Sequence, residues 1–263
     1  MTRDEWFTLA LLAAMTALMP LAGGPGAFFV WTAAGTLMLG IAAVANPKAR
    51  GELLLLGFLL PLALIGAVAG NHAVLDVTRR SIDGDLLALD HGISPSVYAW
   101  FRGHALAWSA INHVYYALPF FGALVAVVSP RRMECARAWI LAALLAPFFY
   151  AAFPAVGPAH LGDPTAPRNC IPSLHMTWAL LCVVYVARPW RWVAVSFAGL
   201  TALATLGTGE HYLIDLVVAV PYTWGICRLE IWARRLAAQR RARVATPRAA
   251  DASSAIALQE SSR

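Results

Sequence analysis

The sequence predicts an all-α fold, a polytopic membrane bundle of about eight transmembrane helices, and three observations predict it. Of 263 residues, 60% are hydrophobic and 13% charged, a balance too apolar for an ordinary soluble domain. The apolar residues gather into runs near the roughly 20 positions that a helix needs to cross a hydrocarbon core about 30 Å thick. The basic residues cluster in alternate connections between those runs.

The first run, Trp6 to Ala22, follows Arg3 and precedes Gly23-Gly24-Pro25-Gly26. A secretory signal shares that layout, but Asp4 and Glu5 weaken that alternative, and cleavage would leave the remaining topology unchanged. Phe28 to Ala45, closed by Asn46-Pro47, completes an N-terminal helical hairpin over residues 1–51. A catalytic membrane domain is expected over residues 52–233, opening with Leu53 to Ala69. Ala105 to Val128 ends at Ser129-Pro130, and Ala138 to Val156 ends in a Gly/Pro/Asp stretch, Gly157 to Pro167. These are the residue types that interrupt helices. Ile171 to Ala187, Trp192 to Gly207 and Tyr212 to Cys227 complete the set, and a polar, basic tail over residues 234–263 is expected to be disordered.

Cytoplasmic loops retain Lys and Arg. With both termini cytoplasmic, sixteen of the 20 basic residues fall inside, and only Arg79, Arg80, Arg102 and Arg168 fall outside. The expected location is an integral protein of the plasma or inner membrane. The same bias accounts for the net charge of +6, with the tail near anionic lipid. Nucleic acid is not an expected partner, because no basic module could fold outside the bilayer. Of Cys135, Cys170, Cys182 and Cys227, only Cys170 falls on the outer face, so no intrachain disulfide is expected there.

Two motifs head outer helix ends: Pro172-Ser173-Leu174-His175 and His211-Tyr212-Leu213-Ile214-Asp215. Ionisable groups in membrane helices are costly and mark functional sites. A spacing of four puts His211 and Asp215 on one helix face. The carboxylate could then hold one imidazole nitrogen and leave the other as a nucleophile. The plainer alternative makes His211 and Tyr212 interfacial residues and Asp215 a helix contact. Pro172 suits a first helical turn, where Ser173 and neighbouring amides could hold a phosphate beside His175. Arg168 would add a guanidinium fork. The outer stretch Asn71 to His104 sets Asp76, Asp83, Asp85, Asp90, His91 and His104 among apolar residues. It reads as a roof over the site or as a plain connector. Asn112, His113, Tyr115 and Tyr116 read as packing residues first.

The pair of motifs resembles the phosphatidic acid phosphatase type 2 superfamily, whose members carry Pro-Ser-Gly-His followed by His-x-x-x-Asp. With Leu174 in place of glycine, and His-Tyr-x-x-Asp following, it looks more like the inositol phosphorylceramide synthase branch. The resemblance covers roughly Ala105 to Ala233 and implies a six-helix core. It implies that His211 attacks phosphorus, Asp215 orients it and His175 protonates the leaving oxygen. Arg168, Ser173 and Tyr212 would bind substrate, and no cofactor or metal would take part. The superfamily's Lys-x6-Arg-Pro motif and an Arg six residues before the second histidine are missing, Thr205 standing at the latter place. A less cationic site, leaning on Arg168 and Arg79, Arg80 or Arg102, favours headgroup transfer. The donor would be a membrane phospholipid and the acceptor an alcohol or ceramide. One alternative is hydrolysis of phosphatidic acid or polyprenyl pyrophosphate. Others are a zinc-type site on His175, His211 and Asp215, and a non-catalytic lipid carrier.

Overall fold

A computed structural model describes residues 27–78 and 80–261 of the chain; the run Trp6 to Ala22 and Arg79 lie outside the described residues. Ten α-helices account for most of the described residues. They are α1 (Ala27–Ala45), α2 (Arg50–Val77), α3 (Asp83–Asp90), α4 (Ile93–Arg102) and α5 (Ala105–Tyr116). After these come α6 (Leu118–Val128), α7 (Arg132–Ala152), α8 (Leu174–Tyr185), α9 (Arg191–Gly207) and α10 (Leu213–Ser261).

Among the described residues, three spans are long and apolar enough to cross a membrane: Phe28–Ala45, Arg50–Asn71 and Arg132–Ala152. The pair α5 and α6, expected as one helix, is bent by 48° and makes a fourth if taken as one span. The break at Ala117 has a local cause. Pro119 occupies the first turn of α6, where its ring cannot continue a preceding helix. Eight spans are therefore not established. Helix α8 has 12 residues and α9 has 17, and α10 meets Asp215, Arg228 and Glu230 before it could complete an uncharged crossing. Helix α10 also runs on through residues 234–261, the segment expected to be disordered. That stretch is rich in Ala and Arg, both strong helix formers.

Packing relies on small residues, which let helix backbones approach where lipid supplies no hydrophobic drive between helices. Ala138, Ala142 and Ala146 of α7 and Ala179 of α8 have no exposed surface. The rings of Trp139 and Trp178 stack between these helices at 4.9 Å. Gly122 on α6 is required here, because a Cβ would fall 2.4 Å from the Trp139 ring. A second cluster joins α1, α2 and α6 around Trp31, Leu39, Leu53 and Phe120. Phe29, Phe58, Phe148, Trp192 and Trp224 face outward, as side chains do when the surrounding solvent is lipid.

The helix directions sort the polar residues by end. At one end, Ser129 Oγ donates to the Tyr185 carbonyl at 2.6 Å, and Arg137 pairs with buried Glu230 at 2.9 Å. At the other, the loop before α8 meets the loop before α10: Ser173 N donates to the Asp215 carbonyl at 3.3 Å, and Ala159 N to that of Gly209 at 2.9 Å. Both histidine motifs therefore share one end of the bundle, opposite the arginines of the α6–α7 and α8–α9 connections.

Gly122→Ala should destabilise the protein by about 1–3 kcal/mol through overpacking. Its thermal midpoint in detergent should fall, and an unchanged midpoint would refute the close approach of α6 and α7.

Candidate active site

Asp215 organises the second motif from inside α10. Helix α10 begins at Leu213, so His211 precedes the helix and does not share a face with Asp215 as the spacing suggests. The carboxylate instead turns back, as the third residue of a capping box does. Its Oδ2 accepts from Tyr212 N at 2.7 Å and lies 3.3 Å from His211 Nδ1. Asp215 is fully buried and His211 is 3% exposed. With Nδ1 engaged, Nε2 is the nitrogen that can attack an electrophile.

The helix of the first motif starts two residues later than the Pro172 expected to open it. Helix α8 opens at Leu174, with Ser173 as its N-cap and Pro172 outside. Ser173 Oγ accepts from Met176 N at 3.3 Å and the residue is fully buried, so its hydroxyl caps the helix. His175, in the first turn, lies flat against Tyr115 of α5, ring centroids 3.9 Å apart. This contact gives Tyr115, expected as packing, a place beside a motif histidine. The two motifs meet through the backbone, where Ser173 N donates to the Asp215 carbonyl at 3.3 Å.

Tyr212 is fully buried, and its hydroxyl donates to Asp83 at 2.8 Å. This bond anchors the Tyr212 ring to α3, where the sequence suggested a contact with substrate. Arg168 is 7% exposed, and its Nε donates to the Arg80 carbonyl at 2.8 Å. Arg102 lies over the Trp108 ring at 4.8 Å, which engages one of the outer cations considered for phosphate.

Several site residues carried no usable motif. Cys170, Glu210, His160, Asp83 and Asp90 were visible only as polar residues in apolar surroundings. Cys170 Sγ donates to the Glu210 carbonyl at 3.2 Å; the thiol is buried and reduced. Burial raises it above its ordinary pKa, and Asp215 and Asp83 add to the effect. Cys170, His211 and Asp215 each offer a ligand atom within 4.8 Å of the others. A zinc-type ion would thus meet a thiol where His175 was expected. Gly157, at φ 84°, passes so close to Glu210 that a Cβ would fall 2.5 Å from its carbonyl oxygen. Beside it, His160 Nε2 and Glu210 Oε1 lie 3.1 Å apart.

Residues 159–229 match the family model described as the PAP2 superfamily. No curated protein and no solved structure gave a match. The matched segment carries both histidine motifs, and the long apolar helices outside it are those of an integral membrane protein.

The Glu210 hydrogen bond raises the His160 pKa above its ordinary value of about 6.5. A raised histidine stabilises the fold below the unfolded value, and the contribution is lost as pH rises through the folded one. Glu210→Gln should therefore lower the thermal midpoint more at about pH 5.5 than at about pH 8.5. Equal differences at both would refute the pair.

Proposed function

We propose that this chain transfers a phosphorylated lipid headgroup through a phosphohistidine on His211 at the extracytoplasmic face. The observation that carries this reading is the buried contact of His211 Nδ1 with Asp215 Oδ2. It sets the tautomer that leaves Nε2 as nucleophile, and it stabilises the positive charge that develops on the ring.

In the first half, Nε2 forms a bond to phosphorus as the bond to the leaving oxygen breaks, and His175 gives its proton to that oxygen. In the second, an acceptor hydroxyl gives its proton to His175 and attacks phosphorus, and the phosphorus–nitrogen bond breaks. An alcohol acceptor such as inositol or ceramide makes the enzyme a transferase similar to inositol phosphorylceramide synthases. Water makes it a phosphatase. Leu174 in place of glycine, and the few cations near the motifs, favour the transferase. His211 and Asp215 are too enclosed to line a carrier's transit path, which favours chemistry over passive transport.

Arg168 remains our candidate for the phosphate, because a guanidinium fork matches two phosphate oxygens at once. We assign the catalytic membrane domain to residues 52–233, the preceding hairpin to 1–51 and the basic tail to 234–263. Both termini are placed in the cytoplasm, following the distribution of arginines.

Purified protein should release or transfer phosphate from a labelled phospholipid panel supplied with ceramide or inositol. Strong chelators should have no effect, whereas a zinc-type site on Cys170, His211 and Asp215 would lose activity. His211→Ala and Asp215→Ala should abolish acid-labile phosphoenzyme, and His175→Ala should slow turnover by about 10²- to 10⁴-fold. Full turnover by the His211 variant would sink the reading.

A further inference from the structure

Immediately after His211, the chain is gripped by two buried carboxylates of the outer helix α3, Asp83 and Asp90. Asp83 is 6% exposed and Asp90 4% exposed. Asp83 accepts from Tyr212 Oη at 2.8 Å, and the same carboxylate accepts from the backbone N–H groups of Val156 and Gly157 at 3.1 and 3.3 Å. Asp90 Oδ1 accepts from Leu213 N at 3.1 Å, a donor shared with Ser94 Oγ at 3.0 Å. Ser94 in turn donates to Asp90 through its hydroxyl at 2.7 Å and its amide at 2.6 Å. Three successive residues thus end on three carboxylates: His211 and Tyr212 N on Asp215, Tyr212 Oη on Asp83, and Leu213 N on Asp90.

We infer that Asp83 and Asp90 are positioning residues for His211, and that α3 and α4 form a clasp which holds the nucleophile segment in register with the first motif. The inference rests on the reading of His211 as nucleophile. Its physical basis is twofold. A carboxylate facing the first amide of α10 is favoured by the partial positive charge of a helix N-terminus. A buried charge must keep its hydrogen-bond donors, so the clasp tolerates little displacement. An attacking nitrogen misplaced by about 1 Å can cost about 10²-fold in rate, so bonds that anchor its two following residues bear on kcat.

Residues 157–160 complete the arrangement on the other flank. Ala159 N donates to the Gly209 carbonyl at 2.9 Å, and the glycine at 157 allows the close passage past Glu210. Asp83 joins both flanks, since its carboxylate bonds Val156, Gly157 and Tyr212 together. None of these contacts touches the reacting atoms, so their effect falls on the geometry of attack and not on recognition of the lipid.

The test compares kcat and KM of the full chain on whichever phospholipid of the panel the wild type turns over fastest. Tyr212→Phe removes a single oxygen and should lower kcat about tenfold or more with KM within about twofold, the signature of an interaction felt in the transition state. Asp83→Asn should lower kcat similarly, and the Tyr212→Phe, Asp83→Asn double variant should be no slower than the slower single variant, because the two share one bond. Asp90→Asn, which keeps an acceptor for Leu213 N, should retain more kcat than Asp90→Ala. Asp85→Asn, exposed on the same helix, should behave as wild type. An inactive His211→Ala together with wild-type kcat in Tyr212→Phe would overturn the clasp and leave the nucleophile standing. Losses that multiply in the double variant, or an equal fall in Asp85→Asn, would overturn it too. Full activity in His211→Ala would remove the reading on which it rests.

Discussion

One carboxylate organises the end of this protein where the two histidine motifs meet. Asp215 reaches back from the first turn of α10 to the Tyr212 amide and the His211 ring. It thereby caps a helix and orients an imidazole with the same oxygen. Burial makes this arrangement obligatory, because a carboxylate without exposed surface must keep its donors or lose its charge. The neighbouring loop supports the same segment through its backbone. The Ser173 amide reaches the Asp215 carbonyl from the other motif, and the Cys170 thiol reaches that of Glu210.

Behind this polar end lies a frame built on close contact. Alanines without exposed surface along α7 and α8, and glycines under the Trp139 ring and beside Pro147, bring backbones together where dispersion does most of the binding. The tryptophans at 139 and 178 fill what the small residues leave open. Such a frame supports a site that must hold its shape while facing a fluid solvent of lipid tails.

Much of the helical content was legible in the sequence, because apolar runs bounded by Asn-Pro, Ser-Pro and Arg-Pro leave few alternatives. The meeting of the two histidine motifs at one end was legible as well, since His175, His211 and Asp215 are costly residues in costly places. What escaped was geometry beyond sequence spacing. The four-residue interval between His211 and Asp215 suggested a shared helix face, yet the pair meets across a helix start. Pro119 was in plain view inside an apolar run, but the run's length masked the break. Tyr212 looked like an interfacial ring until Asp83, 129 positions away in sequence, claimed its hydroxyl. Long-range partnerships of that kind leave no periodic trace. The acidic residues between α2 and α5 stood out as polar among apolar neighbours, with nothing to tell buried Asp83 and Asp90 from exposed Asp85.

The family match spans residues 159–229, whereas Asp83 and Asp90 lie on α3, far upstream. The matched segment consequently does not carry all of its own hydrogen-bond partners. A fragment restricted to the matched residues would still encode both histidine motifs, yet it would strip the acceptors from a tyrosine hydroxyl and from a helix-opening amide. Domain boundaries drawn from family likeness alone would thus cut through the scaffold that completes the site, and grafting or shuffling of such a unit has to carry the outer helical pair with it.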